Sequence, residues 1–330
     1  MNTQLSTPDW QSAVSAIRHS ESVLLIAHVT PDADALGSAL ALGLACQALG
    51  KKVQVSVGEP GFSIPESLAY LPGTELIVAP ENLTITDLVI VCDTASIERL
   101  GVLGPAVTQT PMSIVLDHHP SFNGFGTIHL VDPKSPATAA LALDLIDRLE
   151  VKLTSEIATA IYAGLATDTG SFKFHSTTAE TLLMAARLFD AVFDHTNLAR
   201  KLFDDEPFEA LVMLGDALQR ATLDQAAVGG KGLAYTSIAI DQRHGLDELG
   251  MERVIESMRR TSEAEVAAVF KQADSGNWKV SLRSKESVNV GAVAISLGGG
   301  GHFYASGYTG STDLTETISA LKLQLELQGK

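Results

Sequence analysis

Apolar residues gather in short unbroken runs along the first half of the chain, and each run ends on polar residues. Val23-Leu-Leu-Ile-Ala27, Lys52 to Val57, Asp87-Leu-Val-Ile-Val-Cys92 and Met112 to Leu116 have strand length. Continuous apolar runs of this kind suit a parallel sheet covered on both faces. Between them the period lengthens to that of helices, over Pro31 to Leu49 with its stop at Gly50, then Thr138 to Leu149 and Ser155 to Ala166. The alternation predicts a mainly parallel, doubly wound α/β domain.

The pattern changes after Asp168. Thr178 to Phe189 and Leu198 to Gln219 read as helices, the second broken at Asp204-Asp-Glu-Pro207. Strand-like runs follow at Gly232 to Ile240, Glu265 to Phe270 and Trp278 to Leu282, with helices near Met251 to Met258, Val288 to Leu297 and Asp313 to Glu326. A chain of 330 residues exceeds the usual size of one domain. The expected organisation is an α/β domain over 1–185, a helical connection over 186–215 and a smaller α+β domain over 216–330, with a cleft between the two domains.

The polar residues that end the apolar runs form four clusters: His28-Val-Thr-Pro-Asp32-Ala-Asp34, Cys92-Asp93-Thr94, Asp117-His118-His119 and Thr167-Asp168-Thr169-Gly170. Three follow a predicted strand directly, which is where open α/β sheets collect ligands. Carboxylates gathered there repel, by roughly 4 kcal/mol per pair at about 4 Å in a moderately polar site, so the cluster needs cations. Oxygen ligands mixed with imidazole, without a thiolate set, favour manganese or magnesium over structural zinc. That combination points to metal-assisted hydrolysis.

Each cluster also has a plainer reading. Thr30, Asp32 and Asp34 sit where helix caps belong, although capping does not call for a histidine at the end of an apolar strand. Asp93 could be a turn aspartate; as a ligand, each of its oxygens can face a different ion. Adjacent His118 and His119 cannot point the same way from extended backbone, so one ligates while the other reaches the substrate. Asp168-Thr-Gly-Ser171 has the look of an aspartic-protease tetrad, but that chemistry needs paired carboxylates on a β scaffold, and here the aspartate closes a helix.

In the second half, Gly298-Gly-Gly-Gly301-His302 exposes backbone N–H groups to an anion unless it is a mere linker, and Arg283, with Ser284 beside it, offers a guanidinium suited to phosphate. The net charge of −16 disfavours a tight grip on long duplex nucleic acid, where affinity scales with the phosphates neutralised. Two cysteines, Cys46 and Cys92, imply no disulfide framework. With no basic-then-apolar leader and no bilayer-length apolar run, a cytoplasmic protein without a membrane anchor is expected.

Together these residues resemble the DHH phosphoesterase family, whose signature triplet is Asp117-His118-His119 here, and the glycine-histidine motif resembles its associated C-terminal domain. The length and domain pairing look most like the bacterial nano-RNases that also dephosphorylate 3′-phosphoadenosine 5′-phosphate (pAp). The resemblance implies two divalent ions, manganese before magnesium or cobalt. By this analogy His28, Asp32 and Asp93 hold one ion, and Asp34, Asp93, His118 and Asp168 the other, with Asp93 as the bridge. His119 then contacts the scissile phosphate and Asp117 supports the histidines, while Arg283, Ser284, Gly299, Gly300, Gly301 and His302 bind the end of a short single-stranded oligonucleotide or pAp. Four ligand aspartates would balance two divalent ions. The family resemblance also implies a possible homodimer. Rival readings are a cyclic-di-AMP phosphodiesterase, a RecJ-like single-strand exonuclease, a pyrophosphatase and a catalytically silent nucleotide sensor.

Overall fold

The computed structural model describes residues 7–246 and 250–328, which fall into two compact units that divide between Asp205 and Glu206. The first unit is built on five parallel strands, β1 (Ser22–Ala27), β2 (Lys52–Val57), β3 (Leu88–Cys92), β4 (Ser113–Asp117) and β5 (Ile128–Val131), in the order β2-β1-β3-β4-β5. Its helices are α1 (Trp10–His19), α2 (Ala33–Ala48), α3 (Gly104–Gln109), α4 (Thr138–Arg148), α5 (Ser155–Asp168), α6 (Ala179–Leu188) and α7 (His195–Phe203).

Side chains alternate across the sheet. Leu24 and Ile26 of β1, Val89 and Val91 of β3 and Val115 of β4 pack with Leu100, Leu103 and Val107 on one face. The other face is covered by α2, which is buried nearly all round and lies against α5. Small residues make that approach possible, since a Cβ on Gly37 would stand 2.6 Å from the carbonyl oxygen of Ala160. The apolar stretch Ala33 to Leu49 is therefore a core helix, and no helix among the described residues is long and apolar enough to cross a membrane.

In this strand order β1 feeds β2 on one side and lies beside β3 on the other. Such a switch point opens a crevice at the carboxyl ends of the two strands. His28 follows β1 there and Asp93 follows β3.

The second unit carries a six-stranded mixed sheet of β6 (Thr222–Asp224), β7 (Leu233–Ile238), β8 (Val266–Gln272), β9 (Trp278–Ser284), β10 (Gly300–Gly301) and β11 (Ala305–Thr309), ordered β10-β11-β9-β8-β7-β6. Only β7 and β8 pair in parallel. Its helices are α8 (Phe208–Gln219), the single turn α9 (Ala227–Gly230), α10 (Glu252–Met258), α11 (Val290–Ser296) and α12 (Leu314–Gln328). Alternation along β8 sends Val266, Ala268 and Phe270 to one core with Val293 and Leu321, and Ala267 and Val269 to another with Met213, Val254 and Ile255.

Candidate metal centre

Local backbone geometry brings the four clusters of the first unit to one point. Asp93 leaves β3 in the left-handed region, with φ 61°. That conformation costs a non-glycine residue on the order of 1–3 kcal/mol, and such strain concentrates at functional positions. Asp32 caps α2, its Oδ1 accepting the N–H groups of Asp34 at 3.0 Å and Ala35 at 2.9 Å. The capping reading of this residue is thus correct, and it leaves Oδ2 facing the cluster, 3.9 Å from Nε2 of His28.

Two imidazoles are mounted in the same way. Nδ1 of His28 lies 2.9 Å from the carbonyl oxygen of Val29, and Nδ1 of His118 lies 3.2 Å from that of Ser135. Each ring therefore turns Nε2 toward the carboxylates, the arrangement in which a backbone carbonyl orients a metal-ligating histidine. Nε2 of His28 is 3.7 Å from Oδ2 of Asp93, whereas Nε2 of His118 is 3.5 Å from Oδ1 of the same residue, 3.9 Å from Oδ2 of Asp34 and 3.1 Å from Oδ2 of Asp168. His119 is mounted differently: its Nδ1 lies 2.7 Å from Oδ1 of Asp117, a fully buried carboxylate.

These spacings fit divalent ions. Donors about 2.1 Å from one octahedral ion sit about 3 Å apart when adjacent and about 4.2 Å apart when opposite. His28, Asp32 and Asp93 form one group whose donor atoms all lie within 4.8 Å of one another, and Asp34, Asp93 and His118 form a second. Asp93 belongs to both. The electrostatics call for the same cations. Burial and the charges of Asp93 and Asp168 push the carboxyl of Asp34 well above the usual range, favouring a retained proton. Burial works against the charge on Asp93 too, but the imidazoles of His28, His119 and His118 outweigh it and hold its carboxyl far below. Divalent ions can take over the role of those protons.

Four contributors went unread in the sequence. Thr138 and Ala139, at the start of α4, donate backbone N–H groups to Oδ2 and Oδ1 of Asp34 at 2.7 and 2.8 Å, and the Thr138 hydroxyl donates to Oδ1 of Asp93 at 2.8 Å. The α4 cap position is Ala137, which has no acceptor, and that omission was the available sign that the cap comes from elsewhere. Gly164 of α5 leaves room for Asp34, since a Cβ there would stand 2.6 Å from its Oδ1. A terminal nitrogen of Arg99 donates at 3.4 Å to the same Val29 carbonyl that orients the His28 ring.

The remaining candidates lie in the second unit. Arg283, on β9, places Nε 3.2 Å from Glu256 and a terminal nitrogen 2.5 Å from Glu252. Ser284 is buried, its hydroxyl 3.4 Å from the carbonyl of Phe303. The N–H of Gly299 donates to Ala294 at the end of α11, Gly300 and Gly301 form β10, and the N–H of His302 donates to Ala305 at 2.7 Å in the turn to β11. The glycine run is accordingly a tight turn and edge strand, and the N–H groups of Gly299 and His302, expected to be open to an anion, are paired within the fold.

The sequence matches the N-terminal domain of the DHH family over residues 22–165 and the DHHA1 domain over residues 230–326. It is 35% identical over 288 residues to the bifunctional oligoribonuclease and PAP phosphatase NrnA of Thermus thermophilus, covering 87% of this chain and 83% of that one. The chain belongs to the DHH family. A second DHH relative, the probable bifunctional oligoribonuclease and PAP phosphatase NrnA of Streptococcus mutans, is 28% identical over 90% of this chain and 92% of its own. The fold is shared with an exopolyphosphatase-related protein from Bacteroides fragilis, at TM-score 0.85 and 22% identity over 97% of this chain and 96% of that one. The DHH match takes in every member of the cluster except Asp168, which lies just beyond it.

Proposed function

We propose that this DHH protein is a two-metal phosphoesterase that degrades short oligoribonucleotides, dinucleotides such as pApA among them, to mononucleotides and dephosphorylates pAp to AMP. The observation that carries the reading is the Asp93 carboxylate, whose two oxygens face imidazoles from two different strand ends. Both NrnA relatives carry these two activities in their names.

In this reading His28, Asp32 and Asp93 hold one ion, and Asp34, Asp93, His118 and Asp168 hold the other, manganese being the proposed metal and magnesium or cobalt its substitutes. Bound ions of this kind activate water and neutralise charge on the phosphoryl oxygens. His119, its Nδ1 committed to Asp117, presents Nε2 to the scissile phosphate. Burial opposes a charge on the His119 ring, but the hydrogen bond to buried Asp117, which fixes the ring, and the charge of Asp93 outweigh it and favour the protonated form. Arg283, Ser284, Gly299, Gly300, Gly301 and His302 take the terminal nucleotide, so a chain end is rewarded. A net charge of −16 gives a long duplex little to hold. A cytoplasmic homodimer belongs to the same proposal.

The test compares manganese-dependent hydrolysis of pAp, pApA, cyclic-di-AMP, short RNAs and a long single strand under one condition. The expected order places pAp and the shortest RNAs first. Preference for the long strand overturns the reading in favour of a processive exonuclease, and preference for cyclic-di-AMP in favour of a cyclic-dinucleotide phosphodiesterase.

A further inference from the structure

The start of α4 is an unusual place for a threonine to be useful. Thr138 is fully buried, and its neighbour at the cap position, Ala137, has no side-chain acceptor for the N–H groups that a helix leaves unpaired. Asp34 supplies the acceptors from α2, and Thr138 and Ala139 supply the donors. The hydroxyl of Thr138 is left for a second carboxylate, Oδ1 of Asp93 at 2.8 Å. An ionised carboxylate only accepts, so the hydroxyl is the donor. One residue thus contacts the two aspartates that separate elements bring into the second group of donors.

The contact to Asp93 is selective between its oxygens. Oδ1, which takes the hydroxyl, faces His118 at 3.5 Å, while Oδ2 faces His28 at 3.7 Å. A carboxylate can also turn about its Cβ–Cγ bond and offer both oxygens to one ion. On the reading of a two-ion site given above, we propose that Thr138 is a positioning residue: its hydroxyl holds Asp93 in the rotation that gives one oxygen to each half-site. Without it the carboxylate swings to serve the His28 side with both oxygens, and the His118 side loses its shared ligand. Groups that orient metal ligands from behind typically set affinity by about 10- to 100-fold.

The experiment titrates the metal-stripped full chain with manganese alone and follows electron paramagnetic resonance of wild type, T138V and T138S. The wild type is expected to bind two ions with an exchange-coupled spectrum. T138V should keep the first ion near wild-type affinity, bind the second about 10- to 100-fold more weakly and lose the coupling signal. T138S, which keeps the hydroxyl, should restore both. A T138V protein that binds two coupled ions like the wild type overturns the proposal, as does equal weakening of both ions, or a T138S protein that loses the second ion as fully as T138V. Should T138V fail to fold by circular dichroism, T138A takes its place and the serine comparison stands. A wild type that binds a single ion would instead overturn the two-ion reading itself.

Discussion

Asp34 caps a helix that is not its own: its carboxylate accepts the backbone N–H of Thr138 at 2.7 Å, across 104 residues of sequence. The same side chain stands 3.9 Å from Nε2 of His118. One aspartate therefore ties α2 to α4 and also faces the cluster, so the packing of the first unit and the geometry of its site depend on the same few atoms. The helix N-terminus compensates part of the charge that burial makes costly.

Gly164 is where this dependence is most exposed. Its missing Cβ leaves the space that Oδ1 of Asp34 occupies, and Ala139 closes the other side at 2.9 Å. Gly164→Ala is expected to lower stability by about 1–3 kcal/mol through overpacking and to weaken manganese binding in the same protein. Gly215→Ala is the control, because a Cβ at that position in α8 meets nothing within 4 Å. Alanine there should raise stability by about 0.5–1 kcal/mol and leave metal binding unchanged. Urea melts and manganese titrations of the two variants decide both points.

Metal binding should be visible as stability. Ligand that binds only the folded chain stabilises by about 2.7 kcal/mol at a free concentration about 100 times Kd. For a unit of this size that corresponds to roughly 5–10 °C in Tm. Asp93→Asn keeps shape but removes a charge that the imidazoles and the Thr138 hydroxyl favour, so its Tm after chelator treatment should not exceed that of the wild type, while the manganese-induced rise disappears and turnover falls by about 100- to 1000-fold, the scale of losing a group that stabilises developing charge. Differential scanning fluorimetry with and without manganese reads the first effect and pAp hydrolysis the second. A wild-type-sized shift in D93N would remove Asp93 from the ligand set.

What could be read in the sequence follows from where information is stored. β1, β3 and β4 were legible because strands buried on both faces leave unbroken apolar runs, and His28, Asp93 and Asp117-His118-His119 were legible because they interrupt those runs. β5, four residues long with polar His129 inside, gave no such signal, nor did β10 and β11, which are made of glycine, alanine, serine, tyrosine and threonine without alternation. Thr138 and Gly164 were missed for a different reason. Their contributions are a backbone N–H, a hydroxyl at a helix start and an absent Cβ, and apart from the acceptor-free cap at Ala137 none of these has a sequence signature. Arg283 was identified, but its partners Glu252 and Glu256 lie 31 and 27 residues away and only the fold reveals them.

Both thiols should be chemically silent in the native protein. Cys46 and Cys92 are fully buried, and burial pushes the Cys46 thiol up to about 12 and that of Cys92 well above its ordinary value. The thiolate is the reactive form, so neither is available near neutral pH. Ellman's reagent is expected to label no cysteine in buffer and two in denaturant; rapid native labelling would show that the core around α2 opens.

Arg283 has a structural role that must be separated from any contact with substrate. Burial pushes the carboxyl of Glu252 up, but Arg283 and Lys271 outweigh it and hold it below the ordinary glutamate range. A group depressed on folding contributes stability above its unfolded pKa, about 4.3, and that contribution is lost as pH falls through the lower folded value. Arg283→Met removes the cation closest to Glu252. At pH 7 it is expected to cost about 1–3 kcal/mol, between the limits for exposed and buried pairs, because the glutamates are about one-third exposed. As pH falls below about 4 the wild type progressively loses this advantage, and the two proteins should converge once the depressed value of Glu252 has been passed. Denaturant melts followed by fluorescence of Trp278, buried on β9 in the same unit, measure this directly. An equal difference at both pH values would mean that Arg283 stabilises by packing alone. Only against that baseline does a rise in KM for pAp in the same variant count as lost substrate contact, because a protein still folded at pH 7 with unchanged kcat has kept its metal centre.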